Sequence, residues 1–254
     1  MRGFIFVLYY RIFVLWFKLG NMLYKSFIRK IKKRKRQKLQ KQREEGRIKV
    51  MSQKKEDWNT KWGKEDFNPP WKLNKIPPVI RALIDNKTIP TGASLLDIGC
   101  GSGFLAAKLA EENFQVTGFD FADTAIAKAK ASYKETPKLS FTVADATVAL
   151  PFSRKFDVGI DRGTFHKLPF KSHRDYAKYI SPVIEAGGKL VIIFEKQIAN
   201  RLTESYKDNP GEALKHHLEK LFGEQFYVGD FEEHLIETHN DDEMPGYIII
   251  LTKK

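Results

Sequence analysis

The chain has 254 residues, of which 42% are hydrophobic, and it carries a formal net charge of +13 and a single cysteine, Cys100. This length suits one α/β domain with a full core plus an extension, and one cysteine excludes an intrachain disulfide and a cysteine-based metal cluster. Residues 1–50 hold 16 Lys and Arg against two acidic residues, whereas residues 51–254 hold 28 basic and 29 acidic residues. The excess charge therefore belongs to the extension, and residues 51–254 give no compositional indication of nucleic-acid binding.

Residues 1–50 predict an apolar and then basic helical extension. The stretch 3–22 is rich in aromatic and aliphatic residues, but charged residues interrupt it, so it lacks the roughly 18–20 uncharged residues that span a bilayer. Basic residues recur at intervals of seven and would form a ridge on a helix: Arg11, Lys18, Lys25 and Lys32. This pattern is typical of a helix lying in an anionic membrane interface. We expect a cytoplasmic protein that is membrane-associated through residues 1–50, or, alternatively, a native chain that starts at Met51 without the extension.

From residue 52 the sequence alternates between helical and strand patterns. Helices are predicted at about residues 77–85, 103–112, 122–132, 174–184 and 213–222. Strands are predicted at about residues 94–98, 114–119, 139–143, 156–160 and 189–194, with a terminal antiparallel pair at 226–237 and 247–252. Strands that alternate with helices indicate βαβ units and a parallel sheet covered on both faces. The predicted fold of residues 51–254 is therefore α/β, a Rossmann-like doubly wound sheet that is mostly parallel with a C-terminal antiparallel strand.

Residues 95–103 form the most informative stretch, in which a buried strand ends in an acidic, glycine-rich turn before a helix. Asp97 precedes three glycines that alternate with other residues: Gly99, Gly101 and Gly103. A dinucleotide-binding fingerprint has two residues between its second and third glycines, and an acid here would repel a pyrophosphate. The pattern resembles the first motif of class I S-adenosylmethionine (SAM)-dependent methyltransferases. The resemblance implies that SAM is the cofactor, that Asp97 faces its cationic amino-acid end and that the glycines allow its close approach.

Further cofactor contacts follow from the same resemblance. Asp120 ends the second predicted strand about 20 residues after the glycines, where the family's matching acid accepts the ribose hydroxyls, and Phe121 could lie against the adenine. Asp145 and Ala146 follow the third strand, where the family receives the adenine amino group and a ring nitrogen. From the residues alone, Asp120 and Asp145 could equally be turn residues. No metal is expected.

Two segments indicate a resemblance to a smaller group within these methyltransferases. Asp161-Arg162-Gly163 is similar to the segment after the fourth strand of thiopurine S-methyltransferases and of related thiol and tellurite methyltransferases. The Trp-rich segment at 58–71, which includes Trp62, is similar to the N-terminal segment that covers SAM and the acceptor in that group. The resemblance spans about residues 56–254 and departs from the group at Phe165-His166. It implies transfer of a methyl group to a small-molecule acceptor, a thiol or related soft nucleophile, and we expect a monomer.

Three residues are the catalytic candidates. Asp161 could receive a proton or orient the SAM amino group, Arg162 could steer an anionic acceptor, and His166 could be a general base near neutral pH. One alternative is methylation of oxygen or nitrogen, for which His166 would matter more. Another is a membrane-tethered SAM-binding module without catalysis. The remaining histidines of the last third lack metal-ligand spacing and are expected at the surface: His216, His217, His234 and His239.

Overall fold

The computed structural model describes residues 33, 37–38, 53–69, 71–72, 74–196, 210–237 and 243–254. The chain divides into two compact units, residues 1–54 and 55–254. The predicted interface helix, with its basic ridge at Arg11, Lys18, Lys25 and Lys32, lies outside the described residues, as do Met51 and His239. Among the helices that the structure describes, none has the length and hydropathy needed to cross a bilayer.

The described part of unit 55–254 is built around one eight-stranded sheet. The strands are β1 (Ser94–Ile98), β2 (Gln115–Asp120), β3 (Leu139–Val143), β4 (Phe156–Arg162), β5 (Ile184–Glu195), β6 (Phe226–Val228), β7 (Glu232–Glu237) and β8 (Glu243–Lys253). They lie in the order β3-β2-β1-β4-β5-β8-β6, and β7 also pairs with β8. The five strands β1–β5 pair in parallel, whereas β8 is antiparallel to β5, β6 and β7. This confirms the predicted α/β fold with a C-terminal antiparallel strand.

Helices connect and cover these strands. They are α1 (residues 53–63), α2 (Pro78–Asp85), α3 (Phe104–Glu111), α4 (Asp123–Ser132), α5 (His173–Ile180) and α6 (Pro210–Phe222). Short 3-10 turns occur at Phe165–Lys167, Phe170–Ser172 and Ser181–Val183. The helices lie close to their predicted positions because the helical periodicity and the proline and glycine boundaries are local signals.

The core lies on both faces of the sheet. Successive residues of β1 alternate between two buried hydrophobic clusters, with Leu95 in one and Leu96 and Ile98 in the other. The same alternation holds in β5, where Leu190 and Ile192 face one cluster and Val191 faces the other. Burial of both faces explains why these strands read as continuous apolar runs in the sequence.

Two predicted boundaries differ from the structure. The helix predicted over 174–184 ends at Ile180, because the next residues form a 3-10 turn around Pro182 and β5 begins at Ile184. The predicted terminal strand at 226–237 is two strands, β6 and β7, and both pair with β8. The predicted end of this helix and the prediction of a single strand were therefore wrong. The 3-10 turn around Pro182 and the break between β6 and β7 at Gly229 depend on tertiary pairing, which local preference does not determine.

Candidate functional site

The parallel strands β1, β2, β4 and β5 end at one edge of the sheet, and the chemistry-bearing residues cluster there. Ligands of open α/β sheets bind in this position. The structure brings nearly all of the predicted site residues to the strand ends or to the loops that follow them: Asp97, Gly99, Gly101, Gly103, Asp120, Phe121, Asp145, Ala146, Asp161, Arg162 and His166. Trp62, the remaining predicted residue, arrives from α1.

The turn after β1 is held closely against β2. The backbone N–H groups of Gly99 and Cys100 both donate to the carbonyl of Phe119, at 2.8 and 2.9 Å. Gly99, Gly101 and Gly103 have φ values of 73°, 54° and 80°, which favour glycine. Space also requires glycine, because a Cβ at Gly101 would lie 2.7 Å from the Trp62 ring. Cys100 within this turn is a small packed residue, and burial raises the pKa of its thiol well above the ordinary value.

Asp97, near the end of β1, has a buried carboxyl group that can accept a further hydrogen bond. It is 4% exposed, and its Oδ2 has no hydrogen-bond partner in the described part of the chain. Burial raises the pKa of Asp97 to about 7; the Asp120 carboxylate raises it further, while Arg162 opposes the shift. A buried, unpartnered carboxylate oxygen beside a glycine turn fits the ammonium group of an amino-acid ligand such as SAM.

Asp120 closes β2 beside the glycine turn. Its Oδ2 accepts the N–H of Gly101 at 3.1 Å, and its Oδ1 accepts the N–H of Ala122 at 2.9 Å. Burial raises the pKa of Asp120 to about 6, against the lowering effect of these N–H groups. Because each carboxylate oxygen has two lone pairs, Asp120 can accept ribose hydroxyls in addition to these contacts.

The residues predicted to contact adenine lie near the ends of β2 and β3. Phe121 is partly buried and packs with Trp62 and Ala122. Ala146 is buried in the core, and Asp145 uses Oδ1 to accept both the N–H and the hydroxyl of Thr147, each at 2.7 Å. Asp145 therefore is a turn residue, which was one alternative for it in the sequence. Its contact with adenine stays a prediction.

Four aromatic side chains from α1 and the following loop pack against one another, and one of them, Trp62, lies over Gly101 of the glycine turn. We call them the aromatic cap: Trp58, Trp62, Phe67 and Trp71. Trp62 meets Phe67 edge to face at 5.0 Å between ring centroids. Asn59 anchors α1, since its side-chain oxygen accepts the backbone N–H of Thr124 at 3.2 Å in the first turn of α4. The sequence pattern identified the tryptophans but not the capping of α4 by Asn59, because a helix cap supplied by a distant segment leaves no local signal.

Asp161 is the centre of a buried hydrogen-bond network. It is fully buried, and its carboxylate accepts the N–H groups of Gly163, Thr164 and Phe165 at 2.8–3.2 Å and the Tyr176 hydroxyl at 2.7 Å. The structure thus shows Asp161 fixing the loop after β4, and its contact with SAM or with a transferred proton stays a prediction. Nothing in the sequence pointed to Tyr176.

Arg162 joins three parts of the site. It donates to the carbonyl of Trp71 at 2.6 Å and to that of Glu237, in β7, at 3.4 Å. Burial lowers the pKa of Arg162, against the opposing effect of Asp97 and Glu237. These contacts tie the aromatic cap to the sheet, and the role of Arg162 in steering an anionic acceptor stays a prediction.

His166 lies in the 3-10 turn after β4 and faces the end of β5. Its side chain is 3% exposed, its Nε2 is 3.5 Å from Glu195 Oε1, and neither Nε2 nor Nδ1 has a hydrogen-bond partner among the described residues. Lys167 also contacts Glu195 Oε1, at 2.9 Å. His166 and then Lys167 lower the pKa of Glu195 to about 2, against the effect of burial. The sequence analysis missed Glu195, although an acid ending a predicted parallel strand is a signal that could have identified it.

The prediction of surface positions was wrong for two histidines, His217 and His234, which are both half-buried. His217 is half-buried in α6, and its Nε2 lies 3.0 Å from Nδ1 of His173, which is fully buried. Burial lowers the pKa of both groups to about 4, so both rings are neutral near pH 7 and pack with Phe165 and Phe170. Within the described ranges, no group of three His, Cys, Asp or Glu side chains is placed to hold a metal ion.

Comparison with known proteins agrees with this geometry. A protein-family profile described as a methyltransferase domain matches residues 95–188. The chain is 31% identical over 131 residues to the 2-heptyl-1-hydroxyquinolin-4(1H)-one methyltransferase of Mycobacteroides abscessus, a match covering 50% of this chain and 57% of that protein. It is 28% identical over 139 residues to thiocyanate methyltransferase 1 of Arabidopsis thaliana, covering 54% and 60% of the two chains. The matches thus span less than two thirds of these relatives.

A solved structure shows the same fold over a larger part of the chain. It comes from work on the conversion of a disulfide bond into a thioacetal group during echinomycin biosynthesis. The match has a TM-score of 0.60 and 25% sequence identity, and it covers 74% of this chain and 86% of that chain.

The raised pKa of Asp97 predicts that SAM binding depends on pH. An ammonium ligand needs the carboxylate, so binding must displace the proton that Asp97 holds below about pH 7. We expect SAM affinity to rise by up to about tenfold per pH unit below pH 7 and to level off above it. Calorimetric titration from pH 5.5 to 8 measures this. Asp97→Asn should bind SAM weakly with a flatter pH dependence, and an unchanged wild-type profile in that variant would contradict the assignment.

The Asp161 network predicts that Tyr176 contributes to stability and not to cofactor affinity. Tyr176→Phe removes a buried donor to a carboxylate and should lower the free energy of unfolding by about 1.5–3 kcal/mol. Chemical denaturation measures the loss. Tyr179→Phe, in the same helix, is the matched control, and its effect should stay below about 0.5 kcal/mol because its hydroxyl accepts an exposed hydrogen bond from Lys178. Equal losses in the two variants would show that the network does not stabilise the loop.

Proposed function

We propose that this chain, which carries a class I SAM-dependent methyltransferase domain, transfers the methyl group of SAM to a small-molecule acceptor. The observation that carries the proposal is the buried, unpartnered Oδ2 of Asp97 beside three positive-φ glycines and a second buried acid, Asp120. Two buried acids beside the turn, of which Asp97 is only partly compensated by Arg162, favour a cationic ligand. SAM supplies an electrophilic methyl group on a sulfonium sulfur when it is bound.

The described residues have distinct parts in this proposal. Asp97 would hold the ammonium group, Asp120 the ribose hydroxyls, and Asp145 with Ala146 the adenine edge. The aromatic cap would exclude water from the turn, and Arg162 would keep the cap closed through its bond to the Trp71 carbonyl. Fixing the acceptor in line with the methyl group supplies much of the rate in such reactions.

A thiol or related soft nucleophile is the first candidate acceptor. The resemblance at Asp161-Arg162-Gly163 and the Arabidopsis thaliana relative named for thiocyanate support it. A thiolate forms near neutral pH and needs little help from a base. A hydroxyl-bearing acceptor is the second candidate, favoured by the buried His166 beside Glu195 and by the relative named for a hydroxyquinolinone.

Radiolabelled SAM tests the proposal directly. Incubated with a panel of thiols, phenols and amines, the protein should label at least one acceptor, and Asp97→Ala should abolish both labelling and measurable SAM binding. With thiols, activity should rise with pH as the thiol ionises and should survive His166→Ala. SAM binding without transfer to any panel member would favour the non-catalytic SAM-binding module over an enzyme.

We also propose that residues 1–50 bring the domain to anionic membranes and that residues 51–254 fold and methylate without them. The support is the charge distribution, which places the whole positive excess before residue 51. Full-length protein should sediment with vesicles containing anionic lipid and be partly released by high salt, since salt screens basic contacts but not aromatic burial. Residues 51–254 should stay in the supernatant. Sedimentation of both proteins to the same extent would contradict the proposal.

A further inference from the structure

We propose that Thr164 is a positioning residue for methyl transfer, because its hydroxyl group couples the glycine turn after β1 to the loop after β4. SAM is expected at the first of these segments, and the acceptor is expected at the second. Thr164 acts through the two segments and is assigned no contact with SAM or with the acceptor. This role rests on the proposed methyltransferase function, and it adds to the same site a residue to which the sequence pattern gave no role.

The side chain of Thr164 joins the two segments directly. Its hydroxyl donates to the carbonyl of Ile98, the last residue of β1, at 3.0 Å. The next residue is Gly99, and a Cβ added there would overlap the Thr164 hydroxyl oxygen. Thr164 is therefore in direct contact with the beginning of the glycine turn.

The backbone of Thr164 is fixed within its own loop. Its N–H donates to Asp161 Oδ1 at 2.8 Å, and its carbonyl accepts the N–H of Lys167 at 3.1 Å. Asp161 also accepts the N–H groups of Gly163 and Phe165. Because hydrogen bonds hold the backbone on both sides of Thr164, a displacement of its side chain displaces the loop as well.

The glycine turn is held from its other side by β2. The N–H of Gly99 donates to the carbonyl of Phe119 at 2.8 Å. Asp97, which is expected to hold the ammonium group of SAM, comes directly before Ile98 in the chain. The carbonyl that Thr164 contacts thus lies between two parts of the expected SAM site, and a ligand that orders the turn would act on the loop after β4 through this hydrogen bond.

The spacing between the two segments requires a hydroxyl group. Thr164 is half-buried, so its hydrogen bond is partly shielded from water. A carbon atom in place of the hydroxyl would need about 3.3 Å or more from the Ile98 carbonyl oxygen, so valine would break the bond and push the segments apart. Serine would keep both the bond and the spacing. Because a misplacement of about 1 Å can cost about a hundredfold in rate, methyl transfer is sensitive to this spacing.

Coupling of this kind acts in both directions. A cofactor held at the glycine turn would oppose opening of the loop after β4, and the closed loop would favour the turn geometry that binds the cofactor. Local opening of a loop exposes its backbone N–H groups to exchange with solvent. Hydrogen exchange in residues 163–168 therefore reports the coupling without any methyl acceptor.

Hydrogen exchange with S-adenosylhomocysteine, the product that lacks the methyl group, tests the coupling in the full-length protein. Saturating S-adenosylhomocysteine should slow exchange in residues 163–168 of the wild type by about fivefold or more. Thr164→Ser should keep this slowing, whereas Thr164→Val should lose most of it. Thr164→Ala removes the bond without pushing the segments apart, so it should also lose the slowing, and it provides the test if the valine variant does not fold.

Thr117→Val is the matched control. Thr117 lies in β2, outside both segments; its Oγ1 is 3.1 Å from Ser140 Oγ and accepts from Arg154 at 2.9 Å. Its replacement also removes a hydrogen-bonded hydroxyl, so it should lower the free energy of unfolding but leave the slowing by S-adenosylhomocysteine intact. A merely structural role for Thr164 would instead give the same exchange result in both valine variants.

Kinetic measurements separate positioning from cofactor binding. With 4-nitrothiophenol as the acceptor, Thr164→Val should lower kcat by about tenfold or more, while the dissociation constant of SAM should change little. Thr164→Ser should restore kcat. A loss of SAM affinity as large as the loss of kcat would contradict the positioning role.

The outcomes also distinguish this role from the function on which it rests. Equal slowing in the wild type and in Thr164→Val would overturn the role of Thr164, as would exchange in residues 163–168 of the wild type that does not respond to bound S-adenosylhomocysteine. Wild-type protein that binds neither SAM nor S-adenosylhomocysteine would overturn the proposed function itself.

Discussion

The contact between two loops at the edge of the sheet is the constraint on which the site depends. The turn after β1 and the loop after β4 approach so closely that a side chain on Gly99 would overlap the Thr164 hydroxyl. Asp161 holds the second loop in place by accepting three consecutive backbone N–H groups and the Tyr176 hydroxyl. Because a buried carboxylate is costly unless it is hydrogen-bonded, this network has few alternative arrangements.

The buried charge at the carboxyl ends of the strands is mainly negative. Asp97 and Asp120 are both buried near the glycine turn, and burial raises the pKa of each. Such a pair destabilises the free protein as pH rises, since burial opposes the charged form, and the cost is offset when a cation binds. Arg162 supplies a partial counter-charge to Asp97, but its N–H groups are directed to carbonyl oxygens of the aromatic cap and of β7.

The region around His166, where we propose that the acceptor binds, differs chemically from the proposed cofactor region at the glycine turn. There His166 is buried beside Glu195 Oε1, and neither of its ring nitrogens has a hydrogen-bond partner in the described part of the chain, while Trp62 of the aromatic cap lies over Gly101. A soft nucleophile needs only orientation in such a site, whereas a hydroxyl also needs a proton acceptor. Under the proposed function, methylation of a thiol would therefore not depend on His166, whereas methylation of a hydroxyl group would.

The sequence by itself determined the alternating α/β order, the parallel strands and the glycine turn with Asp97 and Asp120, because apolar periodicity, glycine spacing and strand-end acids are local signals. Tertiary structure alone decided that Asp161 accepts the Tyr176 hydroxyl, that Arg162 donates to carbonyls of the aromatic cap and of β7, that His217 pairs with His173, that Asn59 caps a distant helix and that Glu195 lies beside His166. These partners are between 15 and 91 residues apart in the chain. The sequence shows which types of residue lie at a strand end. Which partners these residues contact depends on which loops the folded sheet brings together, and packing determines this rather than local preference.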